Sequence, residues 1–475
     1  MTASSVRSGA SGPGGAARDV AQLVVATLTY DPARGWDASR ARIEQVLQLG
    51  IGGVRVFDCS SLVSARTDST VPPLAAIASL KDLDAVRRAA RLTAREARTM
   101  GVNWDLAPVC DVALEPSNPI VQTRAFGAEP HGVGDNASEW IDACQSEGVL
   151  ACAKHFPGNG RTSVDSHLEL PVVRATTREL HEADLVPFRA AIDAGVGAIM
   201  TAHVSYPALD PSGTPATMSR EVIQWLLRQQ MKFDGLVVAD ALDMAAVREG
   251  RDEAQAAVDA IRAGCDIVIT PEDPAAAVRA LGEAASMGML DGERIHQSVR
   301  RRLKWAQWVS PPNDWRRPSL TDVAWGAQLC DRVVHQVRGA ARPLVGRVEV
   351  VVVDDDAPPE TPPVGRDWLV HSLKASGRDV RVVDAPGAEA RGPLVVAVFG
   401  DVREGKGRVG LTEATVAAVA RAGEQARAAA RDAIVVLFAH PREATALAGA
   451  EHVVAAWSGD RCMQEAVARW LVKAR

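Results

Sequence analysis

Short apolar runs alternate along the chain with longer stretches in which apolar positions recur every three or four residues. From Ala21 to about Val309 this alternation predicts a parallel α/β fold whose strands are covered on both faces. The runs occupy residues 23–29, 53–57, 103–109, 149–155, 197–204, 236–239 and 266–270. Between them, segment 82–100 puts Leu83, Val86, Ala90, Ala94 and Ala97 on one helical face and stops at Gly101. Thr176 and Glu179 have capping-box spacing, and the helix they open ends before Gly195. This periodicity fits a barrel and a doubly wound sheet equally.

Pro311, Pro312, Trp315 and Pro318 break helix and strand alike, which marks a linker. β-Branched runs at 348–353, 394–399, 434–438 and 452–456 then alternate with Ala-rich helices, predicting a smaller α/β sandwich. The expected organisation is a disordered Ser/Gly/Ala-rich tail (1–18), a first α/β domain (19–309), a linker and connecting helix (310–345) and a C-terminal α/β domain (346–475).

Composition narrows the function. A net charge of −6 over 475 residues, with Lys and Arg scattered, offers no footprint for nucleic acid or an anionic membrane. The cysteines are odd in number, widely spaced and without a C-x-x-C pair, so they read as reduced thiols, neither a disulfide framework nor a zinc site. No secretory leader is apparent, and no run approaches the roughly 18 apolar residues of a membrane span. The expectation is a cytoplasmic enzyme, monomeric or weakly self-associating, without metal or cofactor.

Ligand sites of parallel α/β domains lie beyond the C-terminal ends of the strands. That rule selects Asp105, Lys154, His155, His203 and Asp240, the last directly after the apolar run 236–239. Asp240 alone also fits a helix N-cap or half an ion pair, and His155 or His203 a hydrogen-bonded core histidine. The segment 154–167 (KHFPGNGRTSVDSH) is more informative. Its Pro and Gly residues turn the chain away from the sheet, carrying Asp165 and His167 over the mouth. Two positions apart in extended chain, these side chains point the same way, so Asp165 can fix the tautomer of His167. Among the tryptophans, Trp104, beside Asp105, is the candidate for stacking on a ligand ring. The G-x-G-x-x-G pattern at 405–410 is a weak signal for dinucleotide binding, because the preceding strand ends several residues earlier.

Lys154 to Pro171 resembles the KHFPGHG…DSH…LP signature of bacterial β-N-acetylhexosaminidases in glycoside hydrolase family 3. Further motifs follow in the family's order: Gly101 to Val109, Asn118-Pro119-Ile120 with Thr123 to Gly127, Met200 to Val204, and Phe233-Asp234-Gly235 leading to Asp240 to Met244. The resemblance implies a TIM-type (β/α) barrel and a retaining exo-β-N-acetylglucosaminidase acting on a small carbohydrate. Asp240 would be the nucleophile and His167, oriented by Asp165, the acid/base. It further implies substrate contacts from Lys154, His155, Arg124 and His203.

Asn159 and Arg161 stand where the family usually has His and Asp, and Asn159 cannot carry a proton. After Gly52 the family has two strands, the second ending in an acid that grips the sugar. Here one run leads straight to Asp58, which takes that role if the barrel is short by one strand-helix unit. A phosphorylase, a β-glucosidase and a catalytically impaired sugar-binding homologue are the alternatives. The C-terminal domain resembles that of longer members, as a structural part or a lid.

Overall fold

The computed structural model describes residues 19–29, 44–57, 71–248, 250–309, 316–340, 344–355, 365–387, 390–400, 402 and 406–473. In the first half, strands β1 (Val24–Thr29), β2 (Gly53–Phe57), β3 (Cys152–Phe156), β4 (Ala198–Thr201), β5 (Leu236–Val238) and β6 (Val268–Ile269) fall on six of the predicted runs. They form two parallel sheets ordered β2-β1-β6 and β3-β4-β5, joined by a bridge between Val238 and Ile267.

The seventh run, 103–109, is not a regular strand. It runs parallel to β3 through isolated bridges, Trp104 to Leu150 and Val109 to Lys154. Pro108 has no N–H to give a continuous ladder, although its carbonyl accepts from Lys154 N at 3.1 Å. The result is one parallel arc from β2 to the 104–109 segment. Among the described residues no pairing links its two ends.

Burial follows the two-residue period of the strands. Val25, Cys152, Met200, Val238 and Ile269, from five strands, meet in one apolar cluster on the inner side of the arc. Their neighbours Val24, Ala153, Ile199, Val237 and Val268 pack outward against the helices. Leu83–Thr99 is the helix expected from the 82–100 pattern, its N-terminus capped by Asp82 accepting from Ala85 N. The Thr176/Glu179 capping box is present.

The second half holds a six-stranded sheet, β7 (His335–Arg338), β8 (Val348–Asp354), β9 (Val380–Val382), β10 (Leu394–Phe399), β11 (Ala433–Phe438) and β12 (His452–Ala455). Their order is β7-β12-β11-β10-β8-β9, parallel except for β7. Val395, Ala397 and Phe399 face the helices Trp368–Ala375 and Arg461–Lys473; Leu394, Val396 and Val398 face Glu413–Ala428. This covered sheet is the predicted sandwich. It begins earlier than the periodicity suggested, since β7 lies inside the segment read as connecting; its alternate half-exposed positions give little apolar signal.

The two halves are packed together. Ala75 and Ala76 of the first share a core with Cys330 and Val333 of the helix Leu320–Val333, and Arg332 pairs with Asp82 at 2.7 Å. No helix among the described residues is long and apolar enough to cross a membrane. The six described cysteines are buried.

Candidate active site

Asp240 follows β5 at the C-terminal end of the arc, its side chain 19% exposed. Its Oδ1 accepts from Ala241 N at 2.8 Å, and its Oδ2 lies 3.8 Å from His155 Nε2. Burial alone would raise the carboxyl pKa. The positive fields of His155, His203 and Lys154 and the Ala241 N–H overcome it, holding the group well below the usual carboxylate range. An ionised, partly accessible carboxylate at this position has the chemistry a nucleophile needs.

His155 is oriented from behind by Asp111. Asp111 Oδ2 accepts from His155 Nδ1–H at 2.7 Å, and its Oδ1 accepts from His155 N at 3.1 Å and Asn159 N at 2.6 Å. A carboxylate accepts only, so His155 carries its proton on Nδ1 and turns Nε2 toward Asp240. Burial would raise the Asp111 pKa, but His155 and the two backbone donors bring it below normal. Lys154, one residue earlier, has its pKa lowered by burial and by the field of Arg124, with Asp240 opposing.

Beyond β3 the loop is fixed by its backbone. Gly160 passes so close to Val112 that a Cβ would lie 1.7 Å from its carbonyl oxygen, so only glycine fits. Tyr206 donates to Gly158 O at 2.6 Å, and Arg161 pairs with the buried Asp184 at 2.8 Å. From this anchored base the chain reaches Asp165 and His167. Asp165 Oδ1 accepts from His167 Nδ1–H at 2.7 Å, and the imidazole is 19% exposed, not turned to bulk solvent. The carbonyls of Ser166 and His167 accept from Ala246 N and Ala245 N, seating the loop on the segment that follows Asp240. The fields of both Asp240 and His167 are felt at His203.

The structure therefore gathers Asp240, Lys154, His155, Arg124, Asp165 and His167 at one end of the arc. His203 is also there, but buried, with Nδ1 2.7 Å from Thr217 Oγ1 and Nε2–H donating to Ala241 O at 2.9 Å, so both ring nitrogens are engaged. Asp58 lies outside the described residues. Trp104 is placed differently from expectation: it pairs with Leu150 at the entry end of the strands and packs on the inner apolar cluster, away from Asp240. Asp105 shares that end, where burial pushes its pKa up to about 6 despite Lys154.

Two residues escaped the sequence reading. Asp111 follows the 103–109 run by two positions, and its place just past a strand end was a usable signal. Arg55 on β2 donates to Thr270 Oγ1 at 2.7 Å and its charge reaches Lys154. No sequence pattern marks it. Thr270, a β-branched residue held at φ 58°, adds backbone strain beside the site. No group of three or more His, Cys, Asp or Glu suited to a metal occurs among the described residues.

A sequence profile described as the glycosyl hydrolase family 3 N terminal domain matches residues 17–304, more than half of the chain. The chain belongs to glycoside hydrolase family 3. It is 35% identical over 237 residues to a β-N-acetylglucosaminidase/β-glucosidase of Cellulomonas fimi, a match spanning 48% of this chain but 42% of that protein. It is 35% identical over 269 residues to a β-hexosaminidase of Nitrosomonas eutropha, spanning 54% of this chain and 76% of the relative. Among solved structures, a family 3 β-N-acetylglucosaminidase from Paenibacillus sp. str. FPU-7 superposes with a TM-score of 0.78 at 25% identity, covering 96% of each chain. The α/β fold with a second, sheet-containing domain is thus shared over nearly the whole length.

Proposed function

We propose that this protein is a retaining exo-β-N-acetylglucosaminidase with Asp240 as nucleophile and His167, oriented by Asp165, as acid/base. The observation that carries the reading is the seating of the dyad loop, through Ala245 and Ala246, directly on the segment following an ionised Asp240. In the first step Asp240 bonds to the anomeric carbon while the imidazolium Nε2–H passes its proton to the departing glycosidic oxygen. In the second, neutral Nε2 takes a proton from water, whose oxygen displaces Asp240 from the same carbon. Lys154, His155 and Arg124 bind the sugar. His203 acts as a positioning residue, through Ala241 and through its field on Asp240.

On this reading the arc is the wall of a (β/α) barrel short by one strand-helix unit, spanning 19–309, with the C-terminal domain from 346. The meeting of five strands' side chains in one inner cluster supports it. The test is a panel of p-nitrophenyl β-glycosides assayed with and without phosphate, with the anomer formed first followed by NMR. Preference for the N-acetylglucosaminide and free sugar of β configuration are expected. A sugar phosphate as product, or preference for the glucoside, overturns the assignment.

A further inference from the structure

The loop that holds G-x-G-x-x-G in the sequence touches the acid/base dyad. Gly407 N donates to Asp165 Oδ2 at 3.1 Å, across the boundary between the two halves of the molecule. Asp165 Oδ1 is already taken by His167, through N at 2.9 Å and Nδ1 at 2.7 Å. Both carboxylate oxygens are therefore used, one for orienting the imidazole and one for holding the carboxylate still.

Gly407 reaches this position by adopting φ 65°, and a Cβ there would lie 2.6 Å from Leu168 Cδ1, on the dyad loop itself. Its place is set by Asp355, immediately beyond β8. The buried Asp355 carboxylate accepts at Oδ1 from Thr412 N (2.8 Å), Thr412 Oγ1 (2.7 Å) and Thr415 Oγ1 (2.7 Å). At Oδ2 it accepts from Arg408 (2.6 Å), with Lys406 Nζ 3.5 Å away. Residues on both sides of Gly407 are thus tied to one anchor, and the same anchor is tied to the start of the helix Glu413–Ala428.

We infer that Gly407, held in place by Asp355, is a positioning residue for the acid/base step, so that the C-terminal domain sets the aim of His167. This rests on the assignment of Asp165 and His167 as the acid/base pair. A tether on Asp165 matters because an imidazole displaced by about 1 Å from the glycosidic oxygen loses on the order of 100-fold in rate. It also gives the second domain a part in catalysis without supplying a group that touches substrate.

The test compares Gly407→Val, Asp355→Ala and His167→Ala with the parent on two substrates. One is the dinitrophenyl β-N-acetylglucosaminide, whose leaving group needs no proton; the other is the β-linked N-acetylglucosamine disaccharide, whose leaving group does. In the two loop variants, kcat/KM for the disaccharide is expected to fall about 10-fold or more while that for the dinitrophenyl substrate changes by less than about 3-fold. Azide, which needs no general base to attack the glycosyl-enzyme, should raise kcat for the dinitrophenyl substrate in the variants and not in the parent. A general loosening of the fold would lower both substrates together and give no azide effect. Gly407→Val keeps Asp355 and its partners, so it decides the matter if Asp355→Ala does not fold. If His167→Ala shows the split and the azide effect and folded Gly407→Val does not, the inference is wrong. If His167→Ala shows neither, the dyad assignment itself has failed.

Discussion

Asp165 and His167 are joined twice over: one carboxylate oxygen accepts the backbone N–H of His167 at 2.9 Å and its ring Nδ1–H at 2.7 Å. The imidazole cannot turn without breaking the ring bond, and in the proposed mechanism Nε2 exchanges the proton. The negative charge also favours the imidazolium form that the proposed mechanism needs. Asp165→Asn keeps the shape and removes the charge. It is expected to lower kcat/KM for the disaccharide by about 100-fold and to move the alkaline limb of the pH–rate profile to lower pH. An unchanged limb would remove Asp165 from the acid/base unit.

Asp111 is a second carboxylate behind a second histidine. Removing it in Asp111→Ala leaves His155 Nδ1 and the backbone N–H groups of His155 and Asn159 without their acceptor. Bonds to a charged group contribute about 1.5–3 kcal/mol each, so kcat/KM should fall at least roughly 10-fold, and more if the loop shifts. Steady-state kinetics on protein with native circular dichroism checks this; parental kinetics would show that His155 needs no support.

Glu96, buried in the helix Leu83–Thr99, has its pKa pushed by burial from 4.5 to about 8. The folded form thus holds a proton that the unfolded chain releases near pH 4.5, so Glu96 costs stability as pH rises from about 4.5 to about 8. Glu96→Gln removes that cost. Thermal melts should show the variant gaining on the parent through this window and the gap levelling off above it. A gap independent of pH would contradict the assignment.

Under β5 and β6, the buried Asp266 accepts from Arg228 at 2.5 Å, Arg294 at 3.0 Å, Arg301 at 3.3 Å and Ser298 at 2.6 Å. Asp266→Ala leaves Arg228 and Arg294 without their carboxylate partner, and Arg301 with only Asp234, 3.4 Å away. Denaturant titration should show a loss of about 3–5 kcal/mol, well beyond an ordinary surface substitution. A loss below about 1 kcal/mol would mean that water or another acid replaces the carboxylate.

Much of this architecture was legible because it rests on local periodicity. Short apolar runs located six strands of the arc, and the 82–100 periodicity and the Thr176/Glu179 capping box located two helices. The 103–109 run misled, because an apolar pattern does not reveal that Pro108 interrupts the ladder. That Asp240, Lys154, His155, Asp165 and His167 would come together at one end of the arc was legible through strand-end position and loop composition. Asp111 carried only the weaker signal of lying just past the 103–109 run, and its partner His155 stands 44 positions away in the chain. Gly407 was read as one of the three glycines of a weak nucleotide motif, and its contact with Asp165 spans 242 positions. Long-range hydrogen bonds of this kind leave no trace in the spacing of a single sequence.

The proposed mechanism requires above all that Asp240 be the group that bonds to the sugar. Incubation with a slow fluorinated N-acetylglucosaminyl donor, followed by proteolysis and mass spectrometry, reads this directly. The expected result is one glycosyl adduct per chain on Asp240, and no adduct in Asp240→Ala, whose turnover should be roughly 10,000-fold down or lower. An adduct on any other residue, or inactivation that persists in Asp240→Ala, would contradict the mechanism.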